Sequence, residues 1–244
     1  MKIGLVVVTY SIIPTVLVES IKSNHTLRWY INHHGAAGMN KELIECFQRE
    51  NSKIYLYNEN RGLSKSWNDG IVESIKNDDD ITLIINDDIE FLNGCFDEWI
   101  NFIEHRKDHG LIFLHGKEPQ EDGGEIIRDQ GFSCFSIGRQ AKQMVGAFDE
   151  NFIPAYFEDF DYMVRCTKSG VSVEVDPRVH VIHRRSFTVR NSAEIADSFP
   201  VFFEKNKLYM IAKWGGSDPW NTTYDKPFGN PDNSVFIPFG ERKS

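Results

Sequence analysis

The chain has only four cysteines, Cys46, Cys95, Cys134 and Cys166, with no CxxC pair and no spacing of the metal-binding kind. They read as buried free thiols in a reducing compartment. Positive charge is also short: 27 Lys and Arg against 36 Asp and Glu leave a net charge of −9. That argues against a broad basic face for nucleic acid, whose binding rests largely on Lys and Arg. No apolar run approaches the ~20 residues of a membrane span. The opening Met1–Tyr10 is apolar only briefly and has no small-residue cleavage site, so it reads as a buried strand and not as a signal peptide. Two formal glycosylation sequons, at Asn24 and Asn221, stand without any other mark of secretion. The expectation is a cytoplasmic protein, or one module of a longer chain. There is no internal repeat and no low-complexity tract.

What is present suits a globular α/β protein. With 244 residues, 41% hydrophobic and 26% charged, such a chain buries about 73% of its surface on folding, enough to need no staple. Strand and helix patterns alternate through the first half, which predicts a mostly parallel sheet covered on both faces. Strands are expected at Ile3–Val8, Leu27–Ile31, Lys53–Tyr57 and Ile81–Ile85. Helices are expected at Thr15–Ser23, Lys41–Glu50 and Ser64–Lys76, the last with Trp67, Ile71 and Ile75 on one face. Beyond Glu90 the pattern loosens. It gives a helix at Phe96–Arg106, strands at Leu111–Leu114 and Gly131–Ile137, and a polar loop from Lys117 to Asp129. A helix at Asp159–Lys168 ends at Gly170, an exposed strand follows at Val171–Val175, and a last helix runs from Phe202 to Lys213. Four prolines in the last 28 residues mark a tail or linker.

Four motifs carry chemistry. Asn86-Asp87-Asp88 follows the apolar strand Ile81–Ile85, at the carboxyl edge where open α/β sheets bind ligands, and adjacent carboxylates there invite Mg²⁺ or Mn²⁺. A solvated acidic turn is the competing reading. Asn60-Arg61-Gly62-Leu63-Ser64-Lys65 leads into a helix whose free N–H groups, with Lys65, suit a diphosphate, unless Ser64 simply caps the helix. Phe157-Glu158-Asp159-Phe160-Asp161 opens another helix. Phe157, Phe160 and Val164 are expected to bury one face, leaving Glu158, Asp159 and Asp161 near the N-terminus. There the dipole keeps a carboxylate ionised and able to act as a base, although Asp159 also suits a cap. Finally, His180-Val181-Ile182-His183-Arg184-Arg185 offers an imidazole for a metal and arginines for phosphate. His33-His34 has no spacing that assigns it a role.

The order of these motifs resembles the large inverting "family two" of nucleotide-sugar glycosyltransferases with the GT-A fold, over about Ile3 to Gly216. Val6-Val7-Val8-Thr9-Tyr10 is similar to the family's opening strand, whose end contacts the nucleotide. Asn60-x-Gly62 and Asn68-x-Gly70 match the helix start beside the diphosphate. Asn86-Asp87-Asp88 stands at the acidic metal motif. Gly146-x-Phe148-Asp149-Glu150 with Glu158-Asp159 matches the acceptor-side signature, His183 a metal-binding histidine, and Lys213-Trp214-Gly215 a C-terminal element. The resemblance implies a single α/β domain over 1–216, with a donor half at 1–90 and an acceptor half at 91–216, followed by a Pro-rich tail at 217–244.

It also implies roles. Thr9, Tyr10, Asn60, Gly62, Lys65, Asn68, Asn86 and Arg185 would bind the donor, and Asp87 its sugar or ribose. Asp88 and His183 would hold Mn²⁺ or Mg²⁺, Asp159 would be the base, and Glu158 would orient the acceptor. The chain departs from the family at Asn32, where an Asp usually reads the nucleotide base but whose amide is still expected to hydrogen-bond a base edge, and at Asn86, often acidic, which leaves metal affinity to Asp88 and His183. The implied donor is a UDP-sugar, with GDP and dTDP as alternatives. The implied acceptor is a glycan, a lipid-linked saccharide or a protein hydroxyl, with nucleic acid disfavoured. A nucleotidyltransferase is the enzymatic alternative, but Thr9–Pro14 lacks a triphosphate loop. A non-catalytic nucleotide- or sugar-binding module is the other.

Overall fold

The computed structural model describes residues 1–10, 12–35, 40–47, 51–106, 108–119, 125–129, 131–183 and 193–240. β1 (Lys2–Tyr10), β2 (Thr26–His34), β3 (Ser52–Tyr57) and β4 (Ile81–Asn86) pair in parallel in the order β3-β2-β1-β4. The continuous apolar runs of β1 and β4 put them in the middle, because a parallel strand is buried on both faces. Ile3, Leu5, Val7, Leu83 and Ile85 face α1 (Thr15–Ser20), α2 (Asn40–Cys46) and α4 (Cys95–Glu104). Val6, Tyr30 and Ile84 face α3 (Leu63–Lys76) and join a second apolar cluster. α3 lies close on β1: a Cβ on Gly70 would fall 2.3 Å from Val6 Cγ1, so no larger residue fits.

The sheet then turns mixed. β5 (Ile89–Phe91), β6 (Leu111–Pro119), β7 (Glu125–Asp129), β8 (Cys134–Ile137) and β9 (Val173–His183) extend it as β4-β8-β6-β9-β5, with β7 pairing β6 beyond β8. α5 (Arg139–Met144), α6 (Glu158–Ser169) and α7 (Ala193–Trp214) complete the described elements.

Several expectations are corrected here. The polar stretch from Lys117 to Asp129 is not a loop throughout. β6 runs on to Pro119 and pairs antiparallel with β7, from His115↔Asp129 to Pro119↔Glu125. Backbone pairing needs no apolar side chains, and Ile127 is exposed, so the arm gives no burial pattern to read. Gly131–Ser133 forms a 3₁₀ turn ahead of β8. β9 is eleven residues long and not five. Its register jumps from Leu114↔Asp176 to His115↔His180, which lets Pro177 sit in a bulge instead of breaking the strand. Asp176 holds that bulge by accepting the Arg178 backbone N–H at 3.0 Å and its guanidinium at 2.9 and 3.0 Å. α7 starts nine residues earlier than expected, since Pro200 lies inside it. α1 and α4 are slightly shorter than expected, and the end assigned to α2 at 48–50 falls outside the described residues.

Residues 217–240 return across the molecule. Ile237 bridges to Gly146, donating its N–H to Val145 O at 3.0 Å and accepting that of Ala147 at 2.8 Å. Among the described residues no helix is long and apolar enough to cross a membrane.

Candidate functional site

The carboxyl ends of β1, β2 and β4 lie side by side, with Val8 opposite both Asn32 and Asn86 and Tyr10 opposite His34. The chain after β4 turns so that Asp87 accepts the Tyr10 backbone N–H. Thr9, Tyr10, Asn86, Asp87 and Asp88 are thereby gathered at one sheet edge. Burial first, then the neighbouring Asp88 charge, push the Asp87 carboxyl up to about 8, against two backbone N–H bonds that pull it down. Two carboxyl groups are thus crowded at this edge.

Asp88 finds its partner through the sheet. Pairing of β5 with β9 sets Ile89 opposite His183, which leaves the residue before Ile89 beside the imidazole. Asp88 Oδ1 lies 3.2 Å from His183 Nε2. Yet Asp88 Oδ1 is buried with no hydrogen-bond partner, so the two atoms approach without the alignment of a hydrogen bond. Two such donors near each other suit a hard divalent cation. Among the described residues no group of three or more His, Cys, Asp or Glu forms a complete cage, so further ligands would have to come from a bound anion or water. Within those limits the donor pair fits Mn²⁺ or Mg²⁺.

Asn32 does not reach this crevice. It is 0% exposed, donating to Ser66 O at 3.0 Å and accepting the Tyr57 hydroxyl at 3.5 Å, so it presents no atom to a nucleotide base. The neighbouring His33 was unassigned by sequence. Its Nδ1 is 2.5 Å from Thr9 Oγ1, and its Nε2 is buried without a partner. Burial, then the His34 charge, lower its pKa, so the ring is neutral. His34 meets Ser66 Oγ at 2.8 Å and Glu59 O at 3.0 Å and acts as a brace for the start of α3.

That start is a built turn. Gly62 has φ +88°, a left-handed value that favours glycine. Its N–H donates to Asn60 Oδ1 at 3.0 Å. Ser64 Oγ, in the first turn, is buried with no partner. Lys65 is a quarter exposed and pairs with Asp69, with Glu150 3.7 Å away. Asn68 is spent inward: it accepts the Phe148 N–H at 2.8 Å and donates to Phe148 O at 2.9 Å. It fixes the loop carrying Asp149 and Glu150, and its amide is not free for a donor. Arg185 lies outside the described residues.

The start of α3 also touches the approach to α6, where Leu63 donates its N–H to Pro154 O at 2.7 Å. Tyr156 and Phe157 hold φ +78° and +73°, turning the chain sharply into Glu158 and Asp159. Glu158 is buried with Oε2 unpartnered, while Asp159 keeps some exposure and accepts the Phe160 N–H at 2.8 Å. The expected dominance of the helix dipole does not hold. Burial raises both carboxyls, with the Asp159 charge adding to Glu158. Glu158, the more buried, is raised the more strongly, which leaves Asp159 the stronger candidate base. Phe160 is 39% exposed, so it does not bury the face expected of it.

Removing the buried acid has a stability consequence. The folded Glu158 pKa lies above its unfolded value, so folding loses stability as pH rises from the ordinary Glu range through the raised value. Glu158→Gln is therefore expected to raise Tm at pH 7, at about 2–4 °C per kcal/mol for a chain of this size. A melt in which the variant is less stable than the parent at pH 7 contradicts this reading.

A frame from α7, whose Lys213-Trp214 end the resemblance names without giving it a role, holds these parts. Asn206 donates to Ala155 O at 2.8 Å and Tyr156 O at 3.3 Å. Lys213 Nζ lies 2.7 Å from Asp149 Oδ2 and 2.6 Å from Asp161 Oδ1, all buried. Asp161 also accepts Trp214 Nε1–H and Arg165 Nε–H at 2.8 Å each. Burial alone would raise the Asp149 carboxyl, but Lys213, the Asn151 N–H and the Tyr209 hydroxyl hold it below its usual value. Asp149, Lys213 and Trp214 lie in motifs that carry the resemblance, and Asp161 with Arg165 adds a helical pair at i and i+4, but none of these spacings shows that the side chains meet.

No protein-family model matches the chain, and no curated protein matches it in sequence. Solved structures do match it in fold. TarS of S. aureus superposes with a TM-score of 0.58 at 14% identity, covering 84% of this chain and 43% of that one. GalNAc-T7, crystallised with UDP, GalNAc and Mn²⁺, gives 0.64 at 12% identity over 89% of this chain and 48% of that one. The mannosyltransferase PcManGT from Pyrobaculum calidifontis, in complex with GDP-Man and Mn²⁺, gives 0.55 at 11% identity over 87% and 71%. The chain spans less than half the length of the first two.

Proposed function

Since the chain has the GT-A glycosyltransferase fold, we propose that it transfers a sugar from a nucleotide-diphosphate donor to an acceptor hydroxyl, with inversion at the anomeric carbon. The observation that carries this reading is the buried, unpartnered Asp88 Oδ1 beside His183 Nε2, at the sheet edge that also holds Asp87 and Tyr10. The GalNAc-T7 and PcManGT structures, solved with UDP or GDP-Man and with Mn²⁺, support a nucleotide-sugar donor and a divalent cation; inversion rests on the resemblance of the motifs alone. A UDP-sugar is the first candidate donor, with GDP and dTDP next, and the acceptor is a glycan, a lipid-linked saccharide or a protein hydroxyl.

In this account Tyr10 and Asp87 receive the nucleoside and sugar at the edge of β1 and β4, while the Thr9 side chain, fully buried against His33, does not contact them. The N–H groups at the start of α3, arranged by Asn60 and Gly62, face the diphosphate, with Lys65 adding charge beside them. Asp88 and His183 would hold the divalent cation. When bound, such an ion neutralises charge on the diphosphate leaving group. Asp159 takes the proton from the acceptor hydroxyl. That oxygen attacks the anomeric carbon from the opposite face, forming the new C–O bond as the bond to the diphosphate breaks and its electron pair leaves with the nucleotide. Glu158, beside it, supports the orientation of the incoming acceptor. The transition state has oxocarbenium character, as in other glycosyl transfers.

Chelation tests the cation. EDTA is expected to abolish sugar transfer, and added Mn²⁺ or Mg²⁺ to restore it. Asp88→Asn and His183→Ala should each weaken Mn²⁺ binding in the presence of UDP at least about tenfold, or 1.4 kcal/mol, by calorimetry. Full activity in chelator, or wild-type Mn²⁺ affinity in both variants, would overturn the assignment.

A further inference from the structure

Of the five tryptophans in the chain, Trp29, Trp67, Trp99 and Trp214 are fully buried, whereas Trp220 is 63% exposed. It is not on a loose end. Its own N–H donates to Asp218 Oδ1 at 3.0 Å. Beyond it, the Thr223 and Tyr224 N–H groups both donate to Trp214 O, at 2.9 and 2.8 Å. The indole meets the Phe160 ring at 5.8 Å and 88°, and the Phe157 ring at 6.3 Å and 64°. Phe160, itself 39% exposed, follows Asp159 directly and donates its N–H to the Asp159 carboxylate. Two accessible rings at right angles therefore make a fixed corner that begins one residue from the proposed base.

An aromatic face is negative at its centre and attracts groups that present a positive edge. The C–H face of a pyranose is such a group, and its hydroxyls lie around the rim, free to stay hydrated or to reach a neighbouring carboxylate. The charges closest in the chain, Asp159 and Asp218, are carboxylates, which disfavours an anionic ligand. We propose that Trp220 and Phe160 form the stacking platform for the acceptor, an uncharged pyranose of a neutral oligosaccharide, with a hydroxyl presented to Asp159. This rests on the glycosyl-transfer reading above and narrows its acceptor class.

Because four tryptophans are inaccessible, acrylamide quenching of intrinsic fluorescence reports on Trp220. The test titrates neutral hexasaccharides of glucose, mannose and N-acetylglucosamine against the full chain, with anionic phosphatidylglycerol vesicles in parallel. At least one saccharide is expected to shield Trp220, and Phe160→Ala to weaken that shielding. In transfer assays with that saccharide, Trp220→Ala should raise the acceptor KM about tenfold while the donor KM moves less than twofold, and Trp220→Phe should recover part of the loss. Quenching unchanged by every saccharide, shielding by vesicles alone, or an unchanged acceptor KM in Trp220→Ala overturns the platform. Shielding by a saccharide with no turnover of any nucleotide sugar would leave the platform standing and overturn the transferase reading instead.

Discussion

Asp159→Asn is expected to lower the rate of sugar transfer by about 10²–10⁴-fold, the usual contribution of a positioned general base, while donor affinity changes little. The amide is nearly isosteric and can still accept the Phe160 N–H that Asp159 accepts, so the start of α6 keeps its shape. What it loses is the ability to take a proton. Burial raises the Asp159 pKa, which makes the carboxylate a stronger base and moves its titration above the ordinary Asp range. Activity should accordingly fall as pH drops through that raised value, since the protonated form cannot serve as base. In kinetic terms kcat falls and the donor KM does not. Wild-type turnover in the variant, or a loss that appears only as donor KM, removes Asp159 from the chemistry.

The second large effect belongs to the frame. Lys213→Met deletes the cation shared by Asp149 and Asp161. Asp161 keeps Arg165 and Trp214, but Asp149 is left buried with only Tyr209 and Asn151. Removing one partner of a buried ion pair costs about 3–5 kcal/mol because the other charge stays desolvated. For a chain of this size that lowers Tm by roughly 10 °C. Adding Asp149→Asn to Lys213→Met should return part of the loss, because the stranded charge is gone. A thermal melt within 2 °C of wild type for the single variant, or no recovery in the double, would mean that the pair is not what ties α7 to the 149–151 loop.

The two parts of the site differ in how far they could be read from the sequence. β1, β4 and α3 announce themselves because burial on both faces forces continuous apolar runs, and because α3 keeps Trp67 and Ile71 on one side. The carboxylates at the end of β4 follow from that directly. His183 is harder. Its meeting with Asp88 depends on the three-residue strand β5 and on the bulge at Pro177, which shifts the register of β9 before it reaches the site. Neither device leaves a periodic pattern. Asn32 and Asn68 show the opposite failure. Both residue types suit ligand contacts, and both are spent on backbone groups, Ser66 O in one case and Phe148 in the other. Sequence supplies the donor and acceptor inventory of a side chain, but packing decides whether a ligand or the fold uses it. The exposed Phe160 is a further instance. Helical spacing with Phe157 and Val164 assigns it to a buried face, and only the course of the 217–240 segment reveals that its neighbour is the still more open Trp220.

The most direct test of the central claim is the release of free nucleotide from UDP-, GDP- and dTDP-sugars with Mn²⁺ and a neutral oligosaccharide acceptor, comparing wild type with Asp159→Asn. The account predicts release by the wild type from at least one donor and a loss of about 10²-fold or more in the variant. Equal release by the two proteins, or no release from any donor by the wild type, would contradict it.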